Sequence, residues 1–238
     1  KALSQVTFEV TQGEILGLIG PNGAGKTTVF NLITGIYPPT SGNMRFKGDS
    51  LARLKPHVIT EKGIARTFQT IRLFPNLTAL ENVMAGYHCR THAGTISAIL
   101  RTPAQRQEER QIIEEGNRQL SFMGLSDVRH ELARNLPYGD QRRLEIARAL
   151  ATRPTLLILD EPAAGLNEQE TNELGSLITQ IRDSGITILL VEHDMRVVMS
   201  VSDRIVVLDN GKKIADGNPA QIQGDFKVIE AYLGRDED

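Results

Sequence analysis

A single cysteine, Cys89, is all that the 238-residue chain carries. No internal disulfide can form, and the composition fits a reducing compartment. Neither sign of charge is in excess: 27 Lys and Arg stand against 29 Asp and Glu, a net −2. A protein whose main partner is nucleic acid would carry a basic surface or arm, and this balance argues against it. Long hydrophobic runs are missing as well. The longest, such as Ile186 to Val191, fall far short of the roughly 20 residues that cross a bilayer. The first residues show no secretory pattern, although the chain opens on Lys1 rather than Met, so upstream residues are expected to be missing. There is no internal repeat and no low-complexity tract. What is there, 40% hydrophobic and 24% charged residues, is ordinary globular composition with enough apolar material to bury a core. The expectation is a soluble, cytoplasmic protein of one large domain or two small ones.

The order of patterns along the chain is informative. Val6 to Val10 alternates like a strand, and Ile15 to Ile19 is a continuous apolar run, as in a parallel sheet covered on both faces. A glycine-rich loop follows, then helical spacing from Thr27 to Gly35 and a short strand around Asn43 to Phe46. From about Ala79 to Leu150 the character turns helical, with long helices predicted over Pro103 to Met123 and Asp140 to Thr152. Strand–helix alternation then returns. Leu156 to Leu159 and Ile186 to Val191 read as buried strands, Glu168 to Ser184 and Met195 to Val201 as helices, and Ile205 to Ala215 as a hairpin across Asp209-Asn210-Gly211. A helical insert thus interrupts an α/β core. The acidic end, Arg235 to Asp238, reads as a solvated tail.

Gly20-Pro21-Asn22-Gly23-Ala24-Gly25-Lys26-Thr27-Thr28 matches G-x-x-x-x-G-K-[ST] between a buried strand and a helix. Glycines let successive N–H groups turn toward phosphate oxygens, and the helix N-terminus adds positive field. Asn22, Gly23, Ala24, Gly25, Lys26, Thr27 and Thr28 are therefore candidate phosphate ligands. Lys26 would reach the β- and γ-phosphates and the Thr27 hydroxyl would ligate Mg²⁺. A second apolar strand ends in Asp160-Glu161-Pro162, where ligands of open α/β sheets sit. Asp160 suits Mg²⁺, and Glu161 suits a water in line with the γ-phosphate. Taken alone, two acids at a strand end could equally cap the next turn. More than half the chain separates Lys26 from Asp160, which is unlike compact kinases and small GTPases.

On these motifs the chain resembles the nucleotide-binding subunits of ATP-binding-cassette (ABC) transporters over nearly its whole length. That resemblance implies an α/β fold: a P-loop NTPase (RecA-like) core with an antiparallel β portion and an inserted α-helical subdomain. It makes residues 1–238 a single domain, with a core of 1–70 and 153–238 and a helical subdomain at about 71–152. Gln69, in Thr67-Phe68-Gln69, stands where the family has a glutamine touching metal and attacking water. Leu136-Pro137-Tyr138-Gly139-Asp140-Gln141 resembles the signature motif L-S-G-G-Q, with Pro137, Tyr138 and Asp140 departing from it. The family implies that Tyr138, Gly139 and Asp140 face nucleotide held by the opposite subunit; a bland alternative makes Asp140 a helix cap. Ala164 to Asn167 occupies the D-loop position, and His193 that of the switch histidine. The family's adenine-stacking aromatic falls upstream of Lys1, and Phe8 reads as core.

Closer resemblance is to bacterial importers of branched-chain amino acids. It rests on Tyr138-Gly139-Asp140-Gln141-Arg142-Arg143-Leu144-Glu145-Ile146-Ala147-Arg148, on Glu161 to Asn167, Glu192 to Met195 and Ala231 to Gly234, and on the stretch from Tyr87 to Arg106. The resemblance implies ATP and Mg²⁺ as ligands and hydrolysis at Glu161 with His193, Gln69 and Lys26. Implied partners are integral membrane permeases, a second ATP-binding subunit (identical or not) and, indirectly, a periplasmic solute-binding protein; nucleic acid is not among them. The place of action would be the cytoplasmic face of the inner membrane, peripherally. Lipopolysaccharide export, or a soluble ABC ATPase acting on ribosomes or DNA, are the alternatives. The apolar face from Leu77 to Val83 is expected either to dock a permease coupling helix or to make an ordinary core contact.

Overall fold

The computed structural model describes residues 2–87 and 103–233. Its centre is a six-stranded sheet in the order β4-β5-β6-β1-β7-β8. These strands are β1 (Ile15–Ile19), β4 (Ile64–Arg66), β5 (Leu156–Asp160), β6 (Thr187–Val191), β7 (Arg204–Asp209) and β8 (Lys212–Gly217). All neighbours are parallel except β7 and β8. β2 (Arg45–Phe46) and β3 (Asp49–Ser50) make a separate antiparallel pair.

The apolar runs are continuous because the sheet is covered on both faces. Along β5, Leu156 and Ile158 enter one core and Leu157 and Leu159 the other. The first core packs under α1 (Lys26–Ile33), where Val29 and Phe30 are buried, and takes Ile59 from α2 (Pro56–Lys62). The second packs under α5 (Tyr138–Ala151) and α6 (Glu168–Asp183). It also takes α3 (Ala79–Tyr87) and the end of α4 (Pro103–Phe122). A third, smaller core joins β7 to α7 (Met195–Val201), α8 (Pro219–Gln223) and α9 (Phe226–Leu233).

Two expectations need correction, and of the two alternatives for Leu77 to Val83 the core contact is the one observed. Residues 6–10 are not a strand: Val6, Phe8 and Val10 turn inward against the α1-side core, but no ladder pairs them. The apolar face from Leu77 to Val83 is a core contact, with Ala79 and Val83 fully buried and α4 and α5 packed on α3. Asp140 is not a cap. The helix begins earlier, at Tyr138, with Pro137 as N-cap and no side chain capping it; proline fits where no N–H is required. The stretch from Tyr87 to Arg106 lies largely outside the described residues, and the acidic tail and Gly234 wholly so.

Candidate active site

The phosphate-type loop leaves β1 at Gly20 and enters α1 at Lys26. Gly20, Gly23 and Gly25 have φ of 149°, 80° and 106°. A Cβ on Gly20 would lie 2.0 Å from the Leu208 carbonyl of β7, so only glycine lets the loop turn away from the sheet there. The β7–β8 turn, Asn210-Gly211, has positive φ at both residues, as a tight hairpin requires. Gly211 props the loop by donating its N–H to the Ala24 carbonyl at 3.0 Å, and its own carbonyl accepts from Ser4 at 2.7 Å. Beside Gly20, burial pushes the phenol of Tyr232 on α9 up in pKa while the Gly20 N–H opposes that.

Lys26 is buried, its ammonium donating to the carbonyls of Gly20 (2.5 Å) and Pro21 (3.0 Å). Gly25 is the N-cap of α1 and the first turn holds no acid. A Cβ on Gly23 would meet nothing within 4 Å. An open, glycine-built cradle with one lysine and a bare helix N-terminus fits a polyphosphate. Thr27 and Thr28 open α1, with Thr27 exposed.

The acids are divided between the two faces by the alternation of β5. Asp160 follows Ile158 to the α1 side, where Arg66 Nη2 donates to its Oδ2 at 2.7 Å. Arg66 ends β4, donates to Asn31 Oδ1 (2.8 Å) and Thr34 Oγ1 (3.3 Å) of α1, and lies 5.3 and 5.1 Å from the ring centres of Phe30 and Phe68. Arg66 carried no expectation, although a charge ending a short apolar strand is the same signal that marked Asp160. The oxygen donors of Thr27 and Asp160 are the hard ligands that Mg²⁺ takes alongside substrate phosphates.

Glu161 turns sharply, at φ 49°, a left-handed conformation that costs a non-glycine residue of order 1 kcal/mol. Its N–H reaches the Val191 carbonyl at 2.9 Å and its carbonyl accepts from Ala164 at 3.2 Å. The carboxylate collects two other candidates: Gln69 Nε2 donates to Oε2 at 2.7 Å and His193 Nε2 lies 2.7 Å from Oε1. Glu161, His193 and Ala164 line a cavity of about 220 Å³. Behind them Glu192 is buried, accepting from Ala163 N (2.6 Å) and His193 N (3.0 Å), and burial holds its pKa above the usual value. Glu192 was also missed; its place between a buried strand and His193 was the available signal.

Of the signature residues, Tyr138 directs its hydroxyl to the Ala164 carbonyl of its own chain at 3.0 Å. Gly139 is buried where a Cβ would meet Glu170 Oε1 at 2.8 Å, and Asp140 is half-buried in the first turn of α5. Thus Gln69, Glu161 and His193 come together, Asp160 joins Arg66, and Tyr138 joins the loop after Glu161.

Comparison with known proteins supplies the relationship. The family described as ABC transporter matches residues 3–164, and one described as branched-chain amino acid ATP-binding cassette transporter matches residues 212–238. The chain is 47% identical over 234 residues to the high-affinity branched-chain amino acid transport ATP-binding protein BraF of Pseudomonas aeruginosa, covering 98% of this chain and 92% of that one. It is 36% identical to the lipopolysaccharide export system ATP-binding protein LptB of Haemophilus influenzae, covering 98% and 91%. Among solved structures, the ADP conformation of MJ1267, an ATP-binding cassette of an ABC transporter, superposes with a TM-score of 0.85 at 32% identity, covering 98% and 93%.

Proposed function

The chain belongs to the ABC transporter family of ATP-binding proteins, and from that premise we propose that it powers import of branched-chain amino acids through membrane permeases. It is a nucleotide-binding ATPase. The substrate class is supported by the 47% identity to BraF, well above the 36% to LptB, and by the C-terminal match at residues 212–238. Lipopolysaccharide export therefore has the weaker support. No described helix is long and apolar enough to cross a membrane, and in this reading partner subunits supply the span. In this reading the chain sits on the cytoplasmic face of the membrane and pairs with a second ATP-binding subunit. It receives its signal indirectly from a periplasmic solute-binding protein. Residues 1–70 and 153–238 form the core of the unit, and about 71–152 its helical subdomain.

The hydrolytic assignment is carried by one observation: Gln69 and His193 both close on the Glu161 carboxylate. The loop from Asn22 to Thr28 and the ammonium of Lys26 bind and orient the triphosphate of ATP. Thr27, Asp160 and Gln69 would hold Mg²⁺, which would supply charge neutralisation to the phosphates. Glu161 takes a proton from the attacking water through a lone pair that Gln69 and His193 leave open, since each carboxylate oxygen carries two. In this reading His193 turns its Nε2 from Glu161 to a γ-phosphate oxygen. Gly139 and Asp140, at the start of α5, face the nucleotide of the opposite subunit.

Glu161→Gln tests this. The variant is expected to bind ATP, accumulate as a closed dimer and lose hydrolysis by at least about 100-fold, the usual share of a general base. Retention of most ATPase activity overturns the assignment. With its permeases in vesicles and the solute-binding protein added, the wild type is expected to couple hydrolysis to uptake of leucine, isoleucine or valine; hydrolysis indifferent to all three overturns the substrate class.

A further inference from the structure

Arg142 is fully buried and paired with the equally buried Glu145, Nη1 to Oε2 at 3.1 Å. A buried ion pair seldom outdoes apolar residues of the same size in stability, and nothing in the hydrolytic scheme above uses this one. Its remaining bonds show what it holds. Nη1 also donates to the Phe68 carbonyl (2.9 Å), and Nη2 donates to the Gln69 carbonyl (2.9 Å) and to the Tyr138 hydroxyl (3.2 Å). That hydroxyl donates onward to the Ala164 carbonyl at 3.0 Å. Glu145 Oε1 accepts the N–H of Arg72 at 3.2 Å. One guanidinium on the second turn of α5 therefore grips the backbone that carries Gln69. Through one phenol it also reaches the loop that follows Glu161.

We propose that Tyr138 and Arg142 form a brace within one chain that positions Gln69 and the Ala164 loop around Glu161. Tyr138 is then a positioning residue, not a contact to nucleotide. The inference rests on the reading of Glu161 and Gln69 as hydrolytic residues. A brace of this kind needs a hydroxyl at position 138, which the glycine of the L-S-G-G-Q pattern lacks. It also makes α5 and the Gln69 loop move as one piece, because the charge-assisted bonds start from a guanidinium that is itself fully buried with Glu145.

Tyr138→Phe is the deciding variant, since it removes one oxygen from a side chain that is 45% exposed and leaves the fold alone. In the transporter assembled with its membrane subunits, kcat is expected to fall about 3- to 10-fold, the worth of one positioning hydrogen bond. KM for ATP stays within about twofold, because the nucleotide loses no contact. Added to Glu161→Gln, the change leaves the affinity for a fluorescent ATP analogue within the same limit. Combined with Gln69→Ala, its loss fails to multiply, since both act through one group. Arg142→Met is expected to lose more than about 30-fold in kcat; should it not fold, Tyr138→Phe still decides. An unchanged kcat, a raised KM, a weakened analogue affinity or fully multiplicative losses each overturn the brace. If Glu161→Gln and Gln69→Ala themselves hydrolyse normally, the hydrolytic reading falls first, and the single variants reveal that separately.

Discussion

In the loop from Gly20 to Thr28 the proposed ligands of the nucleotide are backbone N–H groups, one lysine and the Thr27 hydroxyl, and consecutive residues supply them all. Around Glu161 the proposed hydrolytic groups are side chains that arrive from separate segments: Gln69 after β4, Glu161 after β5, His193 after β6. Both places lie at the carboxyl ends of parallel strands, where an α/β sheet offers sites. They differ in what holds them. The loop is held by the absence of Cβ atoms and by the hairpin turn at Gly211; the acids are held by buried charges, Arg66 beside Asp160 and Arg142 beside Gln69. A backbone site therefore fails through sterics, and a side-chain site through orphaned charge.

That contrast is broken most easily at Gly20. Gly20→Ala puts a Cβ 2.0 Å from the Leu208 carbonyl, and β7 cannot move away without leaving the sheet. The expected loss is about 3 kcal/mol or more in urea unfolding, with ATP binding lost. Gly23→Ala, whose Cβ meets nothing within 4 Å, should lose only the roughly 1 kcal/mol of a left-handed alanine. Equal losses at the two positions would show that sterics against β7 is not what fixes the loop.

Arg66→Met probes the other side. It leaves the buried Asp160 carboxylate without its cation, which costs about 3 kcal/mol. Adding Asp160→Asn should recover a good part of that. Gln69→Ala, at an exposed side chain, should stay within about 0.5 kcal/mol in stability. If the double variant is as unstable as the single one, orphaned charge is not the cause.

The same contrast explains what could be read in advance. Nine consecutive residues spell the loop, and continuous apolar runs spell β1, β5 and β6, because these strands are buried on both faces. β4 is three residues long, too short for any periodicity to show. Val6 to Val10 has a strand's alternation without a neighbour to pair with, and burial alone produces that pattern. The meeting of Gln69, Glu161 and His193 is invisible to spacing and was available only through family likeness. Arg142 and Glu145 carried an ordinary helical i, i+3 charge pair, whose usual meaning is an exposed face; here both are buried.

A subtler difference concerns pH. Burial raises the Glu192 pKa above its usual 4.5. As pH climbs through that usual value, the unfolded chain gives up this proton while the folded chain keeps it. The stabilising contribution present at lower pH is therefore lost as pH rises toward and through the raised folded value. Urea unfolding of wild type and Glu192→Gln between pH 4 and 8 should give a difference that moves in favour of the variant above about pH 4.5 and then levels off. The hydrogen bonds exchanged in the substitution add a constant offset but no slope. A flat difference would mean that Glu192 titrates alike in both states and that the acid cluster is not the desolvated place described.

The smallest effect is expected where the two kinds of construction meet, at Asn167 between Glu161 and α6. Its side chain accepts from Glu170 N, and Glu170 returns the bond to Asn167 N, a reciprocal cap at 2.9 Å each way. Ala164 to Asn167 resembles a D-loop, a motif usually written S-A-L-D, from which Asn167 departs at the aspartate. As an N-cap, aspartate and asparagine are near equals, because either offers one oxygen to the same amide. Asn167→Asp should therefore shift stability by no more than about 0.5 kcal/mol, whereas Asn167→Ala should cost about 1 kcal/mol. Glu170 also occupies the space where a Cβ on Gly139, at the start of α5, would lie, so loosening this cap is expected to loosen the brace, and Asn167→Ala should lower kcat by about twofold without changing KM, on the scale of a fraction of one hydrogen bond. A large loss with aspartate would show that Asn167 works through its amide nitrogen, and no loss with alanine would show that the cap carries no weight.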